Sequence, residues 1–374
     1  MPGPGVQLSL NPEPSRNLSM HQYLTQPIST CYNKNKRPHT VGHTEREVGK
    51  MRRQGLCGCG CGQLTGREFA PGHDAKHRSN LLRAWRGTHS AEALNELRDR
   101  CWLGLDGTDN RTFGVEIECS VPSAVGREGL AEALRASGLQ ARYEDYNHRI
   151  RPHWKVTTDS SVSADPNYTT LELVSPVLKG DEGRAQLRVA CEVLRRAGAK
   201  VNKSCGLHVH HGANGLGLKG FQYLFSLYRT YEEQIDKMVA PSRRGESNNY
   251  CRSLQGGRWS VLGVMECKSI KQMVEYIGTR YLKLNFESYI KYGTVEVRQH
   301  QGTIDADKII AWVDFGQALL REAKRMATSG SDDWVIDNTR QDVPSLMDLL
   351  EMTRDQVAYW AHRVEVLARM GRAA

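Results

Sequence analysis

The chain predicts an α+β fold, a mainly antiparallel sheet with helices on one face. Three observations predict it. The stretches Gly114-Val-Glu-Ile-Glu118, Leu207-His-Val-His210 and Thr294-Val-Glu-Val-Arg298 alternate polar and apolar residues with period two, the period of a half-buried strand. Segments of helical periodicity, opened by capping residues and closed by glycines, stand between such strands. The remaining connections are long and prone to hairpins, which favours antiparallel pairing.

The elements follow in order. Residues 1–50 are rich in Pro, Asn, Ser and Thr without periodicity and read as a disordered basic tail. Residues 51–86 form a compact Cys/Gly/His module. A linker over 87–110 carries a helix at 90–100, with Ser90 as its cap and Leu94 and Leu97 on one face. The body, 111–330, opens with a strand at 113–119 and a helix at 127–137 that Gly138 terminates. Strands at 154–158 and 170–174 precede a helix at 182–196, capped by Asp181 and ended by Gly198. A strand at 207–211 leads to one long helix at 219–239 and then a polar loop at 241–257. Ser269 caps a helix through Ile277; strands at 281–286 and 294–300 complete the sheet; Asp305 opens a helix at 306–325. The C-terminal helical segment, 331–374, has the capping box Thr353-x-x-Gln356 before Val357, Trp360, Val364 and Leu367 at helical spacing.

Composition narrows the class. The 374 residues are 25% charged and 39% hydrophobic, the balance of a water-soluble globular chain. No apolar run is long enough for a membrane span, and the start lacks the pattern of a secretory signal. The expectation is a cytoplasmic protein without membrane contact. The net charge of +9 is uneven: residues 1–90 carry +8 and residues 91–374 carry +1. A basic N-terminal part leaves open contact with nucleic acid or protein through residues 1–90. Ten cysteines, mostly isolated along apparent helices and strands, make no disulfide framework.

The three alternating stretches carry the chemistry. In a strand, Glu116 and Glu118 share a face, as do His208 and His210, and Glu296 and Arg298. One such pair is an ordinary solvated strand face. Three of them, with this choice of residues, predict a sheet whose polar face suits divalent metal and a phosphorylated ligand. His211 and His300 receive no role. Gly215-Leu-Gly-Leu-Lys-Gly220 has dinucleotide-loop spacing, but no second strand ending in an acidic residue follows at the required distance. It reads as a turn and helix entry.

Five motifs occur in order: Phe113-Gly-Val-Glu-Ile-Glu118, Glu172-Leu-Val-Ser-Pro176, Cys205-Gly-Leu-His-Val-His210, Arg280-Tyr-x-x-Leu-Asn285 and Val295-Glu-Val-Arg-Gln-His-Gln-Gly-Thr303. Together they resemble the ordered motifs of the putative amidoligases, ATP-dependent carboxylate–amine ligases with the catalytic fold of glutamine synthetase and glutamate–cysteine ligase. The resemblance covers roughly residues 111–325. It implies amide formation through an acyl phosphate, with ATP and Mg²⁺ (or Mn²⁺) and small-molecule or peptide carboxylate and amine substrates. By this resemblance Glu116, Glu118, Glu172, Glu296 and His208 are metal ligands and His210 meets the nucleotide phosphates. Arg280 and Arg298 hold the phosphates and the transferred phosphoryl group. Lys155 and Asp159 fit a substrate-side strand and turn, and Asn285, sharing a face with Lys283, lines the same cleft. The relatives' ring assemblies make oligomerisation an open question here.

In the N-terminal module, Cys57-x3-Cys61 and, eleven residues on, His73-x3-His77 resemble the spacing of a Cys₂His₂ zinc site, with Cys59 as an alternative ligand. The module also sets the alternative to a ligase: a non-catalytic protein on a ligase fold that binds nucleic acid or protein through a zinc-containing N-terminal part.

Overall fold

Alternation along the strands is what builds the sheet. The computed structural model describes residues 111–246, 248–257, 259–328 and 342–370; ahead of residue 111 it describes positions 55–56, 64–65, 77, 80–81, 84, 92 and 96 alone. Strands β1 (Gly55–Leu56) and β2 (Leu64–Thr65) pair antiparallel. The main sheet contains β3 (Thr112–Pro122), β4 (Ala141–Tyr143), β5 (Trp154–Thr157), β6 (Tyr168–Val174), β7 (Leu178–Lys179), β8 (Gly206–Gly212), β9 (Leu284–Asn285) and β10 (Thr294–Gln301). Its order is β4-β5-β6-β3-β8-β10-β9, with β7 on the end of β3. Only the β4–β5 pair is parallel; the others among the described strands are antiparallel.

One face of this sheet is apolar. Phe113, Val115, Ile117 and Cys119 of β3 and Leu207 and Val209 of β8 are almost wholly buried, as are Leu171, Leu173, Val295 and Val297 on the flanking strands. Each large aliphatic or aromatic side chain of this kind stabilises the fold by about 1.5–3 kcal/mol relative to exposure. The covering layer comes from α1 (Gly126–Ala136), α2 (Gly180–Arg196), α3 (Gly217–Thr230) and α8 (Ala306–Thr328). Helix α3 is apolar nearly all round, from Phe221 to Tyr228, because it has packed neighbours on several sides. The other helices are α4 (Glu232–Met238), α5 (Val261–Glu266), α6 (Ile270–Ile277), α7 (Glu287–Tyr292), α9 (Val343–Leu349) and α10 (Arg354–Met370). The expected capping box forms: Gln356 N–H donates to Thr353 Oγ1 at 3.3 Å, and Thr353 N–H donates to Gln356 Oε1 at 2.9 Å. Trp360 of α10 packs edge-on against Trp312 and Phe315 of α8.

Several expectations need correction. The helix expected at 219–239 is two, α3 and α4, broken at Tyr231. Past the break, Glu232 and Asp236 both reach the fully buried Lys283 ammonium at 2.6 Å. Asp181 is not the cap of α2; it lies in the first turn behind Lys179, where its charge still favours the helix N-terminus. The strand expected at 281–286 shrinks to β9, because Phe286 already leads into α7. Strands β4 and β7 and helices α5, α7 and α9 are too short for sequence periodicity to reveal. The glycine-rich stretch at 215–220 is a turn and helix entry: Gly215 and Gly217 have φ of +77° and +68°.

The ladder between β8 and β10 is irregular. Val297 pairs with Val209, but His300, not Gln299, pairs with Leu207. One extra residue is accommodated in β10. His300 therefore lies on the helix side against Trp312, with ring centroids 5.1 Å apart.

Positions 92 and 96 are helical, as expected. The tail at 1–50, the rest of the helix expected at 90–100, and Cys57, Cys59, Cys61 and His73 lie outside the described residues. No helix among the described residues is long and apolar enough to cross a membrane.

Candidate active site

The sheet's other face is polar, and strand register sets its pattern. Glu116 on β3 stands opposite His208 on β8, and Glu118 stands opposite Glu172 on β6. His210 stands opposite Glu296 on β10, and Glu296 opposite Asn285 on β9. The alternation that buries Val115, Ile117 and Val209 thus turns carboxylates and imidazoles together on the reverse side.

Their atoms converge. His208 Nδ1 is 3.1 Å from Glu116 Oε2 and 3.7 Å from Glu296 Oε1, and its Nε2 is 3.6 Å from Glu118 Oε1. His210 Nε2 is 3.3 Å from Glu116 Oε1. Three overlapping sets could each hold a cation: Glu116–His210–Glu296, Glu116–Glu172–His208 and Glu118–Asp159–Glu172, with one donor atom from each residue within 4.8 Å of the others. Carboxylate oxygens dominate these sets, which suits a hard divalent cation. The surrounding bonds fix the donors. The Gly206 N–H donates to Glu118 Oε2 at 2.6 Å, and Asn285 Nδ2 donates to Glu296 Oε2 at 2.6 Å. Arg298 Nη1 donates to Glu296 Oε1 at 2.5 Å, and its Nε donates to the Tyr250 carbonyl at 3.1 Å.

Charge is unevenly shared on this face. Burial alone would raise the Glu116 carboxyl, but hydrogen bonds and charge from His208 and His210 outweigh it and hold Glu116 well below the usual carboxylate range. Burial also works to raise Glu296, and Arg298 and His210 overcome it. Glu172 goes the other way. Its burial and the neighbouring Glu116, Glu118 and Asp159 push its carboxyl well above the usual range.

The face floors an open cavity of about 620 Å³. The segment at 144–153 walls one side, and Tyr250, Arg280 and Tyr281 stand at another. Arg280 Nη2 donates to the Tyr281 hydroxyl at 3.2 Å, with its guanidinium 5.0 Å from that ring's centroid. Asp159 Oδ1 accepts from the Ser161 N–H and hydroxyl, both at 2.6 Å. Lys155 Nζ donates to the Asn147 carbonyl at 2.6 Å.

The structure brings Glu116, Glu118, Glu172, His208, His210 and Glu296 to one cavity, together with Arg280, Arg298, Lys155, Asp159 and Asn285. Lys283, expected on a strand face with Asn285, lies outside β9 and does not line the cavity; Glu232 and Asp236 hold it in the interior. The His210 imidazole has a second set of partners, with Nδ1 3.0 Å from both Ser288 Oγ and Thr294 Oγ1. His77, expected as a zinc ligand, has Nε2 2.9 Å from Glu96 Oε1.

Arg243 falls in the stretch that the sequence gives only as a polar loop, 241–257. It is 2% exposed and lines the cavity, with Nη2 donating to the Cys205 carbonyl at 2.5 Å. Gly206 lets it approach: a Cβ there would lie 3.0 Å from Arg243 Nη2 and 3.1 Å from His208 Nε2. The segment at 144–153 was missed altogether. Arg243 ends a single 3₁₀ turn, Pro241–Arg243, and the segment at 144–153 holds no strand or helix, so neither gives a pattern signal.

A mostly antiparallel sheet, with helices on one face and a carboxylate–imidazole–arginine cavity on the other, defines a mixed α/β protein with an open polar cavity on its sheet. The family model described as putative amidoligase enzyme matches residues 109–320. The chain belongs to that family, a family of ligases. No curated protein matches it.

Proposed function

We propose that the protein is an ATP- and Mg²⁺-dependent carboxylate–amine ligase that works through an acyl phosphate. The observation that carries this reading is the convergence of Glu116, Glu118, Glu172, His208 and Glu296 on one face of the sheet with Arg298 held beside them. The donor sets fit Mg²⁺ or Mn²⁺. Bound there, the cations neutralise the triphosphate and the charge that develops during phosphoryl transfer.

The chain's own residues divide the work. Glu116, Glu118, Glu172 and Glu296 hold the metals, with His208 among them. His210, fixed through Ser288 and Thr294, meets the nucleotide phosphates. Arg298, aimed by Glu296 and the Tyr250 carbonyl, meets the transferred phosphoryl group. Arg280 and the buried Arg243 add positive charge to the lining of the same cavity. The substrate carboxylate oxygen attacks the γ-phosphorus of ATP and ADP leaves. The amine nitrogen then attacks the acyl carbon, inorganic phosphate leaves, and the amine gives up a proton. Asp159, beside Glu118 and Glu172, would hold the incoming amine and take the proton it gives up.

Amine-dependent release of ADP and phosphate, screened over acids and amines with mass detection of the product, tests the reading. Glu296→Ala and Arg298→Ala should each abolish turnover while the fold survives. Full activity in both variants would remove these residues from the site. A phosphorylated product without an amide would replace ligation by simple phosphoryl transfer.

The N-terminal module remains proposed as a structural zinc site. Metal analysis of the purified chain, before and after Cys57→Ser with Cys61→Ser, would decide that.

A further inference from the structure

The segment at 144–153 leaves β4 and returns along β5, and its bonds converge on two residues. The Glu144 carboxylate accepts from Arg151 at 2.9 and 2.6 Å and from Asn147 Nδ2 at 3.1 Å, and it lies 2.8 Å from His153 Nε2. Asn147 Nδ2 also donates to the Asp145 carbonyl at 2.7 Å, and its Oδ1 accepts from the Arg149 N–H at 3.1 Å. The segment is thereby knotted on itself. Between the knot and the polar face stands Lys155, whose Nζ donates to the Asn147 carbonyl at 2.6 Å and lies 3.4 Å from Asn147 Oδ1.

Lys155 is 4% exposed and sits beside Val174 on the carboxylate-bearing face. Glu172, Glu116 and Glu144 all act on its charge. Even so, among the described residues it makes no ion pair, and its ammonium bonds a carbonyl of the segment. A buried ammonium needs its donors satisfied. Satisfying them on Asn147 leaves the Glu116 and Glu172 oxygens to a cation. Above it, Tyr146 feels the charges of Glu172, Arg280, Asp159 and Glu116, and its hydroxyl is 3.1 Å from His148 Nε2.

We propose that Lys155 is a positioning residue: it latches the segment at 144–153 to the acidic face as a fixed substrate-side wall, with Tyr146 and His148 over Glu172 and Asp159. That the wall faces substrate rests on the ligase reading. The latch does not.

Hydrogen–deuterium exchange on the full chain tests the latch, with Mg²⁺–ADP binding measured by calorimetry alongside. Lys155→Met should speed exchange at amides 145–150 by roughly tenfold or more, with β3 and β6 unchanged. Glu144→Gln, which leaves the sheet untouched, should do the same and decides the matter if Lys155→Met disturbs β3 and β6. The double variant should exceed the larger single effect only slightly, because both act through one knot. Lys155→Arg should restore most of the protection. Mg²⁺–ADP affinity should stay within about threefold of wild type in every variant, far less than the loss of a phosphate contact. Unchanged exchange at 145–150, or effects that simply add, overturns the latch. A large loss of Mg²⁺–ADP affinity with normal exchange would make Lys155 a nucleotide contact instead. If the wild-type chain binds no Mg²⁺–ADP, the ligase reading fails, and the exchange data still decide the latch.

Discussion

At the scale of single residues, Glu116 is the hub of the polar face. It contributes to two of the three donor sets, whereas Glu118 contributes to one. Glu116→Gln should therefore weaken Mn²⁺ binding by roughly tenfold or more, as loss of a metal-site partner does, and by more than Glu118→Gln does. Titration calorimetry with Mn²⁺ alone checks this without knowledge of the substrate. An equal effect of the two variants would mean that the cation sits nearer Glu172. These carboxylates were legible in the sequence because strands impose a period of two, and charged residues inside that period stand out. Arg243 was not legible in the same way. Its burial depends on a loop folding over Gly206, and loops have no period.

At the scale of elements, helix α8 covers two histidines. His211 is fully buried with neither ring nitrogen bonded among the described residues, and His300 lies against Trp312. Burial pushes each down to about 3; for His300 the bond to the Gln301 carbonyl only partly opposes it. Both are neutral when folded, while the unfolded chain takes up their protons near pH 6.5. Their contribution to stability is complete above about 6.5 and is lost as pH falls from there toward 3. Glu172 acts in the opposite sense, because its raised carboxyl favours the folded state at lower pH. Replacing His211 by Leu removes one of these contributions cleanly. The stability difference between His211→Leu and wild type should shift in the variant's favour by roughly 2 kcal/mol between pH 7 and pH 5. Urea unfolding at the two pH values measures it, and a pH-independent difference would mean that His211 takes up its proton as readily in the folded protein as in the unfolded chain. The sequence exposed the strands flanking α8 and the helix itself, but not these contacts. The break at Tyr231 and the bulge in β10 are likewise set by what packs against them, and no propensity marks either.

At the scale of the whole molecule, the family match ends at residue 320 while the hydrophobic core continues past it. Leu346, Met347 and Leu350 from the α9 region and Trp360 of α10 are buried in the same core as Trp312 and Phe315. The described residues of the C-terminal helical segment, 342–370, thus share one core with the sheet. Truncation after residue 330 should expose that aromatic cluster and leave a chain that aggregates or melts well below the full-length protein. Trp360→Ala alone should cost about 3–5 kcal/mol, read from denaturant unfolding. A truncated chain as stable as the whole would show that α9 and α10 merely rest on the core.

The extra residue in β10 has a consequence for how the strand is read. It acts as a change of parity. Up to Arg298, even-numbered residues look into the cavity; at His300 an even number looks into the helices, and Gln301 shares the side of Gly206. Between them Gln299 bonds Tyr228 and Asp236 beneath the cavity wall. Paired without that irregularity, the same residues would put Gln299 opposite Leu207 and His300 opposite Gly206, turning its imidazole toward the carboxylates instead of the helices. The irregularity, and not the alternation of the strand alone, therefore decides which imidazoles reach the site.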